Sequence, residues 1–121
     1  MTKNKKIKIA LMGYGKMGKE IDSLCRESKI FEVVSISFKN INDKLDLEGI
    51  KKADIAVDFT SKDIVVKNIE AIAKLGKNLI VGTTGWYDHL DEVKMLVDKY
   101  KIGLLYAPNF SVGANIFLKM A

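Results

Sequence analysis

Short apolar runs and helical apolar stripes alternate along this chain from one end to the other. Ile7–Met12 is a β-rich run that stops at glycines. Met17, Ile21, Leu24 and Cys25 then recur at helical spacing and predict one buried stripe on a helix. Val33–Phe38 predicts a second strand. Residues 39–53 are polar and read as a loop with at most one helical turn around Glu48–Lys52. Ile55–Phe59 predicts a third strand. Thr60, three residues before Asp63, suggests a capping box opening the next helix. That helix would bury Ile64, Val65, Ile69, Ile72 and Leu75 and end at Gly76. Leu79–Val81 predicts a fourth strand, and Leu90, Val93, Leu96, Val97 and Tyr100 a further amphipathic helix. Ile102–Ala107 predicts a fifth strand, ended by Pro108.

Alternation of this kind argues for βαβ units on a parallel sheet with right-handed crossovers. The expected fold is α/β, a Rossmann-type doubly wound parallel sheet with strand order 3-2-1-4-5. At 121 residues the chain fits one domain. It holds no internal repeat, low-complexity tract or interdomain linker.

Composition narrows the partners. With 48% hydrophobic and 29% charged residues, a packed core is expected and disorder is not. The net charge of +5 comes almost wholly from lysine, Arg26 being the only arginine. A nucleic-acid surface gathers arginines and aromatics on one stripe, whereas these lysines are scattered, clustering only at Lys3, Lys5, Lys6 and Lys8. No nucleic-acid partner is expected, although a positive field favours a ligand that carries phosphates. The single cysteine, Cys25, permits no internal disulfide and fits a reducing compartment. The apolar run before Gly13 contains Lys8 and is too short and polar for a signal peptide's apolar region of ~7–15 residues. Nothing approaches the ~18 apolar residues of a membrane span. A cytoplasmic location is therefore expected. With one histidine, His89, and one cysteine, no ordinary zinc set can be assembled, and no metal is expected. His89 falls in the polar start of a helix and reads as solvent-facing; Cys25 reads as buried and inert.

The chemistry gathers at three turns. Gly13-Tyr14-Gly15-Lys16-Met17-Gly18 lies between the first strand and the first helix. In a G-x-G-x-x-G loop the first glycine allows a tight turn and the second lets backbone approach a pyrophosphate. The third packs helix on strand. Free backbone N–H groups and the helix dipole then favour phosphates. An acidic residue that binds the adenosine ribose belongs about 20 residues on, yet Phe38-Lys39-Asn40 holds no carboxylate. Lys39 meeting a ribose 2′-phosphate favours NADP(H). The alternative is a plain surface lysine with Asp43 or Asp46 folding back to the ribose. Gly82-Thr83-Thr84-Gly85 follows the fourth strand, and Ala107-Pro108-Asn109-Phe110-Ser111-Val112-Gly113 follows the fifth. Trp86 and Tyr87 either shield a nicotinamide pocket or pack on the surface.

Asp58-Phe59-Thr60, Val81–Gly85 and Ala107–Gly113, with Gly13–Gly18 upstream, resemble dihydrodipicolinate (4-hydroxy-tetrahydrodipicolinate) reductases from Ile7 onward. The resemblance implies that Met12, Gly13, Tyr14, Gly15, Lys16 and Met17 hold the pyrophosphate of NADPH or NADH. It also implies that Lys39 lies near the adenosine ribose, and that Gly82, Thr83, Thr84 and Ala107, Pro108, Asn109, Phe110 line the nicotinamide side. The implied reaction is hydride reduction of a cyclic imine-type dicarboxylate on the diaminopimelate and lysine pathway. Family members often have an acidic residue where Phe38 stands. Their histidine-rich substrate domain follows this region, and none of its motifs lies within these residues. No catalytic residue is therefore assigned, the chain alone is expected to be inactive, and homo-oligomers are expected only for a full-length form. Two rivals stand beside this reading: a standalone nucleotide-sensing Rossmann module, and the cofactor half of another two-domain dehydrogenase.

Overall fold

The computed structural model describes residues 5–40 and 43–106. Five strands, β1 (Ile7–Met12), β2 (Phe31–Ser37), β3 (Ile55–Asp58), β4 (Asn78–Val81) and β5 (Leu104–Tyr106), pair in parallel into one sheet. Between them run helices α1 (Lys16–Glu27), α2 (Leu47–Lys52), α3 (Val65–Lys74) and α4 (Leu90–Tyr100), the last preceded by a 3₁₀ turn at Tyr87–His89. The expected Rossmann-type alternation is present.

The strand order differs from expectation: it is β2-β1-β3-β4-β5, not 3-2-1-4-5. The reason lies in which strands bear burial on both faces. Ala56 and Val57 are both fully buried, so β3 belongs inside the sheet, between β1 and β4. β2 exposes Glu32 and half-exposes Val33 and Val34, as an edge strand tolerates. The six-residue α2 packs on β2 and β1 and returns the chain across β1 to its far side. Strand order therefore reverses between β1 and β3, and the crevice at a reversal is where ligands of open α/β sheets sit.

Alternate residues of β1 feed two cores. Ile9 and Leu11 pack with Ile21 and Cys25 of α1, together with Phe31, Val57, Phe59 and Ile80. Ala10 and Met12 face the opposite layer, with Ile50 of α2, Val65, Ile69 and Ile72 of α3, and Val93 of α4. Each fully buried aliphatic side chain contributes roughly 1.5–3 kcal/mol. α4, eleven residues long, buries only Val93 completely.

Local details depart from the sequence reading at several ends: β2 begins at Phe31 rather than Val33, and β5 at Leu104 rather than Ile102. Phe38 and Phe59 lie just outside β2 and β3 rather than closing them. No capping box opens α3, which begins at Val65 with no side-chain cap. Thr60 instead donates its hydroxyl to the buried Asp58 carboxylate, which needs donors because it is cut off from water. Gly76 does end α3, at φ +72°, its N–H donating to Ala73 O while Lys77 N–H reaches Ile72 O. Ala107 and Pro108, expected to close the fifth strand, lie outside the described residues.

Candidate cofactor site

The carboxyl ends of β1, β3 and β4 converge because their backbones are cross-bonded there. Gly13 N–H donates to Ser37 O (2.9 Å), Phe59 N–H to Met12 O (2.9 Å) and Gly82 N–H to Asp58 O (2.8 Å). The glycines of the first loop then separate by cause. Gly13 stands at φ +93°, and a Cβ there would overlap the Phe59 carbonyl. A Cβ on Gly18 would overlap the Gly13 carbonyl, so this glycine lets α1 lie against the loop. A Cβ on Gly82 would enter the Phe59 ring. Gly15 is different. Its φ is −78°, which any residue adopts, and a Cβ there would meet nothing within 4 Å. Gly15 is also the N-cap of α1, which has no side-chain cap and no acidic residue in its first turn. Nothing in the protein requires a glycine at that position, and the space in front of it borders an uncapped, positively polarised helix end.

Beneath this edge lies a buried carboxylate. Asp58 is fully buried, and its Oδ1 accepts from Thr60 N–H (2.9 Å), Thr60 Oγ1 (2.7 Å) and Thr83 Oγ1 (2.7 Å). Its Oδ2 accepts from Asn68 Nδ2 at 3.0 Å. Asp58 thus joins β3, the following turn, α3 and the Gly82–Gly85 turn. Burial pushes its carboxyl above the usual carboxylate range, and the four donors, all neutral, pull the other way without overcoming it. The sequence reading gave Asp58 no role beyond the third strand and the resemblance. The available signal was an aspartate closing a wholly apolar strand, where a lone charge needs donors from elsewhere.

The remaining candidate residues are distributed as follows. Met12 is buried at the end of β1; Tyr14 and Met17 are half-buried; Lys16 is exposed at the helix start. Thr83 is buried with its hydroxyl committed to Asp58, whereas Thr84 is exposed. Thr83 O accepts from Trp86 Nε1 at 2.6 Å, and Trp86 is 1% exposed, so this tryptophan is core. Its ring also touches Tyr87 and Tyr106. Ala107, Pro108, Asn109 and Phe110 fall outside the described residues.

Lys39 is exposed just beyond the edge of β2, and its Nζ lies 5.3 Å from the centre of the Tyr14 ring. The acidic alternatives for the ribose are engaged locally. Asp46 caps α2 and accepts from Ser35 Oγ (2.8 Å) and Gly49 N–H (3.1 Å), which hold its carboxyl below the usual range. Asp43 Oδ2 accepts from Asn40 N–H at 2.9 Å. His89 is exposed beside Glu92. Cys25 is 3% exposed, and burial first, then the charge of Asp22, push its thiol up to about 11. Among the described residues no cluster of three potential metal ligands occurs, and no helix is long and apolar enough to cross a membrane.

Residues 7–110 match the family model described as dihydrodipicolinate reductase, N-terminus. The chain belongs to the dihydrodipicolinate reductase family. As that family's N-terminal domain it has an NAD(P)-binding fold. The 4-hydroxy-tetrahydrodipicolinate reductase of Christiangramia forsetii is 34% identical over 114 residues, covering 93% of this chain and 46% of that protein. The Cutibacterium acnes reductase of the same name is 36% identical over 118 residues, covering 95% and 46%. The chain therefore spans about half the length of the curated relatives it matches. Among solved structures, dipicolinate-bound dihydrodipicolinate reductase from Paenisporosarcina sp. TG-14 superposes with a TM-score of 0.72 at 25% identity, covering 95% of this chain and 52% of that one. A Synechocystis biliverdin reductase, solved with biliverdin and NADP+, shares the fold alone, at a TM-score of 0.68 and 13% identity over 83% of this chain and 37% of that one.

Proposed function

We propose that residues 1–121 are the cofactor-binding domain of a 4-hydroxy-tetrahydrodipicolinate reductase. In this reading the domain holds NADPH or NADH along the carboxyl edge of the sheet. The pyrophosphate rests on Met12–Met17, with Gly15 leaving it room and the first N–H groups of α1 facing it. Lys39 meets the adenosine ribose and its 2′-phosphate, and Gly82–Thr84 with Ala107–Phe110 line the nicotinamide end. The observation that carries the reading is Gly15: backbone geometry and packing leave its missing side chain unexplained, and a ligand passing over it explains it.

When bound, the dinucleotide supplies the hydride, delivered to a cyclic imine-type dicarboxylate of the diaminopimelate and lysine pathway. The chain's own residues bind and orient. Asp58 fixes Thr60 and Thr83, so the turns after β3 and β4 keep one spacing from the glycine loop. With Thr83 committed to Asp58, its backbone and the exposed Thr84 are the groups left to face a ligand. The groups that hold the substrate carboxylates and supply the proton belong to the part of the reductase beyond this domain, and homo-oligomer formation to the full-length form. Titration of NADPH and NADH by nicotinamide fluorescence, with wild type and Gly15→Val, tests the placement. The variant is expected to fold and to lose affinity; unchanged affinity would refute it.

A further inference from the structure

The Tyr14 ring, in the middle of the glycine loop, has two lysine ammoniums over it: Lys39 Nζ at 5.3 Å and Lys19 Nζ at 5.9 Å from its centre. Lys19 comes from the first turns of α1 and Lys39 from beyond β2, so the loop tyrosine is where the two meet. Among the described residues neither lysine makes an ion pair. Two cations sharing one ring repel each other, and the ring's negative face only partly offsets that. An anion beside the two ammoniums would offset that repulsion.

The ring itself is held in place. Tyr14 Oη donates to Asp22 Oδ2 at 2.5 Å, and the same oxygen accepts from Arg26 Nη2 at 3.2 Å. Asp22 is 4% exposed on α1, so this anchor is firm. The bond to the carboxylate, with burial, raises the phenol above its ordinary value, keeping the hydroxyl a donor. Lys39 is aimed as well. Phe38, before it, adopts a left-handed backbone at φ +58°, which a bulky residue rarely takes, while packing against the α2–α4 core. The turn swings Lys39 off the line of β2 and toward Tyr14.

We propose that Tyr14 is a specificity-determining positioning residue: anchored by Asp22, its ring holds the Lys39 and Lys19 ammoniums together as a seat for the 2′-phosphate of NADPH. The inference rests on the reading above that the chain binds a nicotinamide dinucleotide with Lys39 at its ribose. It adds what aims the lysines. Selectivity for NADPH over NADH should depend on Tyr14, although Tyr14 itself touches no 2′-phosphate.

The test is the ratio of NADPH to NADH affinities for the 121-residue chain and its variants, by nicotinamide fluorescence. Lys39→Met should lower the ratio about ten- to a hundredfold, since it removes a charge-assisted contact. Tyr14→Leu should lower it about two- to fivefold, NADPH losing that much more affinity than NADH. Tyr14→Phe, which keeps the ring but loses the anchor, should fall between Tyr14→Leu and wild type. In the Lys39→Met background Tyr14→Leu should change the ratio no further. Tyr14→Met replaces Tyr14→Leu should the latter fail to fold. If Lys39→Met leaves the ratio unaltered, the reading of Lys39 fails and this inference with it. If Lys39→Met lowers the ratio while Tyr14→Leu weakens both dinucleotides equally or neither, the lysine reading stands and the role of Tyr14 is refuted.

Discussion

Replacing Asp58 by alanine removes the acceptor of four hydrogen bonds from a site with no access to solvent. Thr60 is half-exposed and would regain water. Thr83 and Asn68 are each 4% exposed and would not. Two buried donors left without an acceptor cost about 1–3 kcal/mol each, or about 2–6 kcal/mol together. That is a large share of a typical domain's ~5–15 kcal/mol. Urea unfolding followed by the fluorescence of Trp86, the only tryptophan and a buried one, measures it directly. Asp58→Asn is the sharper variant. It keeps one oxygen for the threonines, and Asn68 can turn its amide over to meet the new NH₂, so at neutral pH a cost near ~1 kcal/mol is expected. The pH dependence then has a definite sign. Burial raises the Asp58 carboxyl above its ordinary 3.8, so its contribution to stability is fully present below that value and is lost as pH rises through the folded-state value. The advantage of wild type over Asp58→Asn should therefore shrink as pH rises above about 4. An advantage that grows with pH would show that the four neutral donors outweigh desolvation. A loss under ~1 kcal/mol for Asp58→Ala would remove the carboxylate from its role as a structural junction.

Gly13→Ala should cost at least ~2 kcal/mol in thermal or urea unfolding, because its left-handed backbone and the Phe59 carbonyl both oppose a Cβ; a neutral effect would mean the loop is built otherwise. Cys25, with its thiol raised from 9.0 to about 11, should react with a thiol reagent at pH 8 about a hundredfold more slowly than in 8 M urea; equal rates would show an open thiol. The 121-residue chain should bind NADPH yet show no enzyme-like turnover (~1–1000 per second) of freshly generated cyclic dicarboxylate, gaining it when a family substrate domain is fused after Ala121. Turnover by the chain alone would move the catalytic set to the residues around Thr83 and Asn109.

What the sequence made legible was local. Short apolar runs and helical stripes placed the five strands and α1, α3 and α4 to within a few residues, whereas α2 read only as a loop with at most one turn. The glycine loop was recognisable because its spacing serves backbone geometry within six residues. Strand order was not, since it depends on which strand must be covered on both edges. β2 and β3 both read as strands, and which of them lies inside the sheet shows only in their burial. Thr60 misled for a related reason. Its spacing to Asp63 satisfies a capping pattern, but the acceptor it uses is Asp58, whose other donors come from Thr83 and Asn68. Such a junction exists only once β3, α3 and β4 are assembled. Thr83, which the resemblance put on the nicotinamide side, likewise has its hydroxyl turned inward to Asp58.

The open space in front of Gly15 has a consequence for how this domain tolerates change. At Gly13, Gly18 and Gly82 any side chain collides with the protein itself, so a damaging substitution betrays itself as lost solubility or a lowered melting point. At Gly15 the folded chain registers nothing. If the dinucleotide passes over Gly15 as proposed, a library sorted for expression or heat resistance would discard variants at the first three positions and keep those at the fourth, enriching well-behaved proteins that have lost their ligand. Only a selection that demands the dinucleotide can hold position 15.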